Sequence, residues 1–142
     1  MIPDLRGHGE SEGDYIGMGW DDRNDIMNLI DYIIAEDNKA EIVLFGVSMG
    51  AATVMMVSGE ELPSNVKAIV EDCGYTSAWD QFAYQLKVLF NLPEFPMMNI
   101  ADVICKIRAG YFISDASAIK QVKKSVTPTL FIHGDRTTIF YS

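Results

Sequence analysis

A short turn between an apolar run and a helix-forming stretch constrains this sequence most. The run Ile42-Val43-Leu44-Phe45 leads into Gly46-Val47-Ser48-Met49-Gly50, and residues 51–56 read AATVMM. The first run is typical of a buried strand, and the second favours a helix. A chain that passes from strand to helix within five residues must bend sharply. We therefore expect Gly46 and Gly50 to be required because a side chain there would collide with neighbouring backbone.

Ser48 lies at the apex of this predicted bend, where its hydroxyl is lifted out of the sheet. The N-terminus of the following helix directs unpaired amides and the positive end of its dipole toward any charge that forms near the serine. This arrangement predicts that Ser48 is a nucleophile and that the backbone N–H of Met49 is an oxyanion donor. The alternative is a structural turn that happens to contain serine.

Strand and helix patterns alternate along the rest of the chain. Apolar runs predict strands at residues 41–47, 66–71 and 129–133, and apolar periodicity predicts helices at 21–36, 77–91, 97–109 and 115–123. Pro93 and Pro96 forbid one continuous helix between residues 77 and 109. Because apolar residues make up most of each predicted strand, the pattern indicates an α/β fold with a parallel sheet and helices on both faces. The length of 142 residues indicates one domain.

Composition excludes several classes of protein. The chain is 49% hydrophobic and 22% charged, and no apolar run approaches the ~20 residues that span a bilayer. A formal net charge of -9 disfavours binding to nucleic acid and to anionic lipid. Cys73 and Cys105 lie far apart, so neither a disulfide framework nor a metal site is predicted, and nothing predicts a cofactor. The N-terminus has no secretory signal pattern, which favours a cytoplasmic location.

Three motifs in this order resemble the α/β-hydrolase superfamily, in particular bacterial serine hydrolases of esterase-like or peptidase-like activity. They are the DLRGHGES segment at residues 4–11, the GVSMG turn at 46–50 and the HGD segment at 133–135. The resemblance implies that residues 1–5 end the family's fourth strand and that 41–47, 66–71 and 129–133 are its fifth to seventh. Residues 75–111 would form a small helical cap. The family's other strands are missing, so we expect a partial fold, truncated at both ends.

The resemblance leaves the rest of the catalytic machinery open. The family's catalytic histidine and second oxyanion donor lie in segments that this chain does not contain, and it implies structural roles for both His8 and His133. The carboxylate expected two residues after Asp135 is replaced by Thr137. Asp135 and Asp72 are the alternative acids, and either could instead bind backbone amides.

The remaining expectations concern substrates and partners. The resemblance implies a serine hydrolase that acts on a small ester or amide through an acyl-Ser48 intermediate. The competing hypothesis is a catalytically incomplete scaffold that self-associates, since without the family's third strand the strand before Ser48 has an open edge. Acidic residues at 10, 12 and 14 favour a solvated loop over a cation site. Cap aromatics would line an acyl pocket or form core; they are Trp79, Phe82, Tyr84, Phe90 and Phe95.

Overall fold

The computed structural model describes residues 1–134. It contains a three-stranded parallel sheet in the order β1-β2-β3, formed by Ile42–Val47, Val66–Asp72 and Thr129–Ile132. The same residues form five α-helices: α1 (Asp22–Glu36), α2 (Met49–Val57), α3 (Ala78–Phe90), α4 (Glu94–Ala109) and α5 (Ala118–Val122). A 3-10 turn at Ile113–Asp115 follows α4. The α/β class with a parallel sheet is confirmed, and each described element begins and ends within a few residues of its predicted position.

The core forms around α2, in which every residue from Ala51 to Val57 is buried. This helix packs on β1 and β2, and α1 and α5 pack against it in turn. One cluster joins Ile30 of α1 to Ile42, Val57 and Val66. A second cluster lies under the cap and includes Met56. The helix that follows Ser48 is therefore the structural centre of the described chain.

Helices cover one face of the sheet in the described part of the chain. On the opposite face the register aligns Phe45 with Val70 and Val70 with Leu130. Phe45 and Leu130 are 62% and 57% exposed, and Val43 and Val47 of β1 are exposed as well. Residues 1–134 do not supply the helices that were predicted to cover this second face.

The structure corrects the prediction of a strand at residues 1–5. These residues form no strand, and Met1 and Ile2 are almost fully exposed. A strand exists only when a neighbour accepts and donates its backbone hydrogen bonds, and within residues 1–134 the sheet ends at β1. The strand was expected from the family resemblance, and a pairing partner for it is not among the described residues.

α3, α4 and the 3-10 turn pack against one another, and we use the name cap for these three elements. Ser77 caps α3 by accepting the N–H of Asp80, and Asn91 ends that helix in the left-handed conformation. The backbone at Phe95 is non-helical, so the regular part of α4 begins after it, close to the predicted residue 97. Within residues 1–134, none of the helices is long and apolar enough to cross a membrane.

Candidate functional site

Ser48 occupies the turn between β1 and α2 with φ 54° and ψ -114°. Positive φ is uncommon for a residue with a side chain and costs free energy, so the surroundings must hold it in place. Its N–H donates to the Asp72 carbonyl of the neighbouring strand at 2.9 Å, and its own carbonyl accepts the N–H of Ala52 at 3.1 Å. The side chain is exposed and does not cap α2. The backbone is thus fixed on both sides while the hydroxyl faces outward.

The two glycines of the turn differ in why they are needed. A Cβ on Gly46 would lie 2.2 Å from the Gly50 carbonyl oxygen and 2.6 Å from the Ala51 nitrogen, distances that backbone atoms cannot relieve without moving. Gly46 is therefore required, as predicted. A Cβ on Gly50 would meet no described atom within 4 Å. The predicted collision at Gly50 is absent from residues 1–134, because its side of α2 is open there.

Met49 is the first residue of α2. The first N–H groups of a helix have no acceptor within that helix, so the Met49 amide has no partner inside α2. α2 carries no acidic residue in its first turn. The positive end of its dipole is therefore not offset by a side chain of the same turn.

His8 belongs to a structural loop. Its Nδ1 lies 3.0 Å from the carbonyl oxygen of Arg6. Arg6 in turn binds both carboxylate oxygens of Asp25 on α1, at 2.7 and 2.8 Å, and donates to the Tyr15 hydroxyl at 2.8 Å. The hydrogen bond to Asp25 is the largest cause of a raised pKa at Arg6. The loop is thus fastened to α1, which supports the structural role expected for His8.

The candidate acids are placed differently from one another. Asp72 ends β2, in register with Val47, and its carbonyl holds the Ser48 amide. Its carboxylate interacts with the thiol of Cys73 and raises the pKa of that thiol. Asp135, the other candidate acid, lies outside the described residues. His133 follows β3 and is exposed.

A cavity of about 330 Å³ lies beside the sheet and is lined by Glu71, Tyr75 and His133, together with Met55 of α2 and Phe131 of β3. Ser48 is not among its lining residues. Glu71 is only 3% exposed and accepts the N–H of Gly74 at 3.0 Å. This carboxylate closes the turn after β2. The sequence signal for its burial was its spacing of two residues from buried Ile69 in the same strand.

None of the five cap aromatics lines this cavity, so no acyl pocket is formed by them there. Phe90 and Phe95 are 67% and 75% exposed, and Phe82 is exposed as well. Trp79 is half-buried, and its Nε1–H donates to Glu94 at 2.6 Å. The alternative that these aromatics form core is wrong for Phe90 and Phe95, because both side chains are exposed. Their role in an acyl pocket stays a prediction.

No group of three or more His, Cys, Asp or Glu among residues 1–134 could hold a metal ion. The side chains of Glu10, Glu12 and Asp14 are exposed. Their placement agrees with the solvated loop expected from the sequence.

The burial of two polar groups was not predicted from the sequence. Asp22, at the start of α1, is fully buried; one carboxylate oxygen accepts the N–H of Gly19 at 2.7 Å, and the other has no partner in the described structure. Burial raises the pKa of Asp22. The hydroxyl of Tyr75 is also buried without a partner there, and its pKa is raised by burial and by the charge of Asp22.

The sequence also matches known proteins. The sequence model of the family described as serine aminopeptidase, S33, matches residues 1–100. The chain belongs to this family of α/β hydrolases. It is also 30% identical over 134 residues to the uncharacterized protein YqkD of Bacillus subtilis (strain 168). That alignment covers 94% of this chain and 44% of the relative, so the chain spans less than half the length of that protein.

Proposed function

We propose that Ser48 is the nucleophile of a serine hydrolase that acts on a small ester or amide. The observation that carries the proposal is the strained backbone of Ser48, fixed between Asp72 and Ala52 with its side chain exposed at the start of α2. Strained conformations at exposed polar residues are concentrated at functional sites, because such strain persists only where surrounding structure maintains it.

In the proposed reaction the Ser48 hydroxyl oxygen attacks the acyl carbon, and its proton passes to a base. The carbonyl oxygen becomes an oxyanion that accepts the N–H of Met49, a contact whose loss costs on the order of 100 to 1000-fold in rate. The bond from carbon to the leaving oxygen or nitrogen then breaks, and the leaving group takes up a proton. Water hydrolyses the acyl-Ser48 ester and restores the serine.

The base in this proposal comes from outside residues 1–134. His8 is committed to its loop, where it contacts the Arg6 carbonyl. The aligned relative is more than twice as long as this chain, which leaves room for a histidine in the remaining part of such a protein. We therefore expect the 142-residue chain to react slowly with acylating reagents.

A fluorophosphonate probe tests the nucleophile, because it forms a covalent bond only with an activated serine. Because the proposed base lies outside residues 1–134, slow labelling over a long incubation is expected in the wild type, and it should be lost in Ser48→Ala. Ser64→Ala is the matched control, since Ser64 is also an exposed serine in a turn but lies before β2. Equal labelling of wild type and Ser48→Ala, or none in either, would contradict the proposal.

The second candidate is a scaffold that self-associates through the edge of the sheet. It is supported by β1, which pairs only with β2 in the described chain and carries exposed Val43, Phe45 and Val47. An uncharged edge strand recruits other strands because its backbone groups are unpaired. Light scattering after size exclusion decides it: a dimer or larger species supports the scaffold, and a monomer at all concentrations refutes it.

A further inference from the structure

A buried carboxylate lies on the face of β2 that packs against α2. Glu71 alternates along the strand with buried Ile69, and it lines the cavity of about 330 Å³ together with Met55 of α2. Positions of this kind are usually apolar, and a carboxylate is almost never fully buried unless it is paired. Glu71 is nevertheless only 3% exposed. We therefore looked for what this carboxylate holds in place.

The carboxylate of Glu71 closes the turn after β2. One of its oxygens accepts the N–H of Gly74 at 3.0 Å. Between them Cys73 has φ 57°, a left-handed conformation that disfavours a residue with a side chain. Hydrogen bonds from a backbone N–H to a carboxylate are stronger than those between neutral groups. The bond from Gly74 to Glu71 thus offsets the free-energy cost of the conformation at Cys73.

The same turn contacts the bend at Ser48 in two places. The carbonyl of Asp72 accepts the N–H of Ser48 at 2.9 Å. Gly74 lies against the first turn of α2, since a Cβ on Gly74 would be 3.0 Å from both the Ala51 Cβ and the Ala52 nitrogen. Ala52 in turn donates its N–H to the Ser48 carbonyl at 3.1 Å. The turn after β2 therefore supports the backbone on both sides of Ser48.

We propose that Glu71 is a positioning residue for Ser48 and acts through the turn at residues 71–74. The carboxylate holds the Gly74 amide, the closed turn fixes the Asp72 carbonyl, and that carbonyl holds the Ser48 amide. Loss of the carboxylate releases the turn, and the strained backbone of Ser48 then relaxes. Glu71 controls reactivity in this way without touching the substrate, because displacing a reacting group by about 1 Å is enough to slow a reaction. The effect on reactivity rests on the proposed role of Ser48 as nucleophile.

Amide hydrogen exchange, followed by NMR on the 142-residue chain, tests the positioning without requiring any reactivity. In the wild type the amides of Gly74 and Ser48 are expected to be protected to within about tenfold of each other, because they open as one unit. This comparison needs no variant.

Two substitutions at Glu71 test the same step. In Glu71→Met, which has a similar length but no good acceptor, exchange at Ser48 should accelerate roughly tenfold or more relative to exchange at Ile42. Ile42 is the internal reference because its N–H donates to the Asn65 carbonyl at the opposite end of the same strand pair. Glu71→Gln keeps an acceptor oxygen at the same reach and is expected to retain most of the protection.

Labelling by the fluorophosphonate probe then separates positioning from stability. At an equal folded fraction, Glu71→Met should label on the order of ten- to a hundredfold more slowly than the wild type, and Glu71→Gln should label nearly as fast as the wild type. Ser58→Ala is the matched control, since it removes a buried hydrogen bond to the Met55 carbonyl near the other end of α2. It should lower the urea midpoint and leave the labelling rate unchanged.

Three results would overturn the proposal. The first is a wild-type Gly74 amide that exchanges freely while the Ser48 amide is protected. The second is equal acceleration at Ser48 and Ile42 in Glu71→Met, which is a loss of global stability alone. The third is unchanged labelling of Glu71→Met. A wild type that shows the expected exchange but no labelling would instead refute the nucleophile and leave the positioning of the Ser48 backbone supported.

Discussion

The contact between the end of β1 and the start of α2 predicts opposite effects of the same substitution at two glycines. In Gly46→Ala the new Cβ would meet the Gly50 carbonyl oxygen at 2.2 Å, and only backbone movement can relieve that contact. Overpacking of this kind costs about 1–3 kcal/mol. In Gly50→Ala the Cβ enters open space, and Gly50 is not among the residues with positive φ. Alanine there stabilises by about 0.4–1 kcal/mol through the unfolded chain.

The two variants should therefore differ in free energy of unfolding by about 1.5–4 kcal/mol, which is roughly ten- to several-hundredfold in the equilibrium constant. Urea unfolding followed by circular dichroism measures this difference, with the slope m compared between variants to confirm the same unfolding transition. Midpoints that are equal, or a Gly50→Ala midpoint below that of Gly46→Ala, would refute the steric explanation of the turn.

Two further predictions concern the buried acid and the sheet edge. Burial raises the pKa of Asp22 in the folded protein above 3.8, so the stability contributed by its protonated form is lost as the pH rises from there through the raised value. The urea midpoint of Asp22→Asn should therefore increase relative to that of the wild type between acid pH and neutrality. A difference between the two midpoints that does not change with pH would contradict this prediction. Phe45→Lys should shift any oligomer toward monomer in light scattering, because a charge on an edge strand opposes pairing, and an unchanged mass would exclude β1 as the contact.

Sequence alone predicted those elements whose periodicity does not depend on a partner. The strand Ile42–Val47 is a continuous apolar run, and α1 shows one clear stripe. The strand that the resemblance implied at residues 1–5 is absent from the structure, because a strand needs a neighbour and the described sheet ends at β1. On α4 the pattern was ambiguous: Met97 and Met98 begin adjacent apolar stripes, and only packing against Ala101 and Cys105 decides which stripe is buried.

Only part of the candidate site was predicted, because the rest depends on contacts between distant segments. The requirement for glycine at 46 follows from local geometry, which a five-residue motif contains. The burial of Asp22 against the Gly19 amide depends on how a loop folds over α2, and a helix pattern carries no information about that. The role of Asp72 in holding the Ser48 amide depends on strand order, which becomes visible only when β1 and β2 are paired.

Burial is distributed unequally between α2 and the cap helices. Seven consecutive residues of α2 are buried, whereas α3 and α4 each contain a single buried residue, Ala78 and Met98. Substitutions on α2 are therefore tightly limited by packing, while most positions from 78 to 109 can change at little cost to folding. Homologues of this chain can thus be expected to diverge fastest in the cap and slowest around the turn at Ser48.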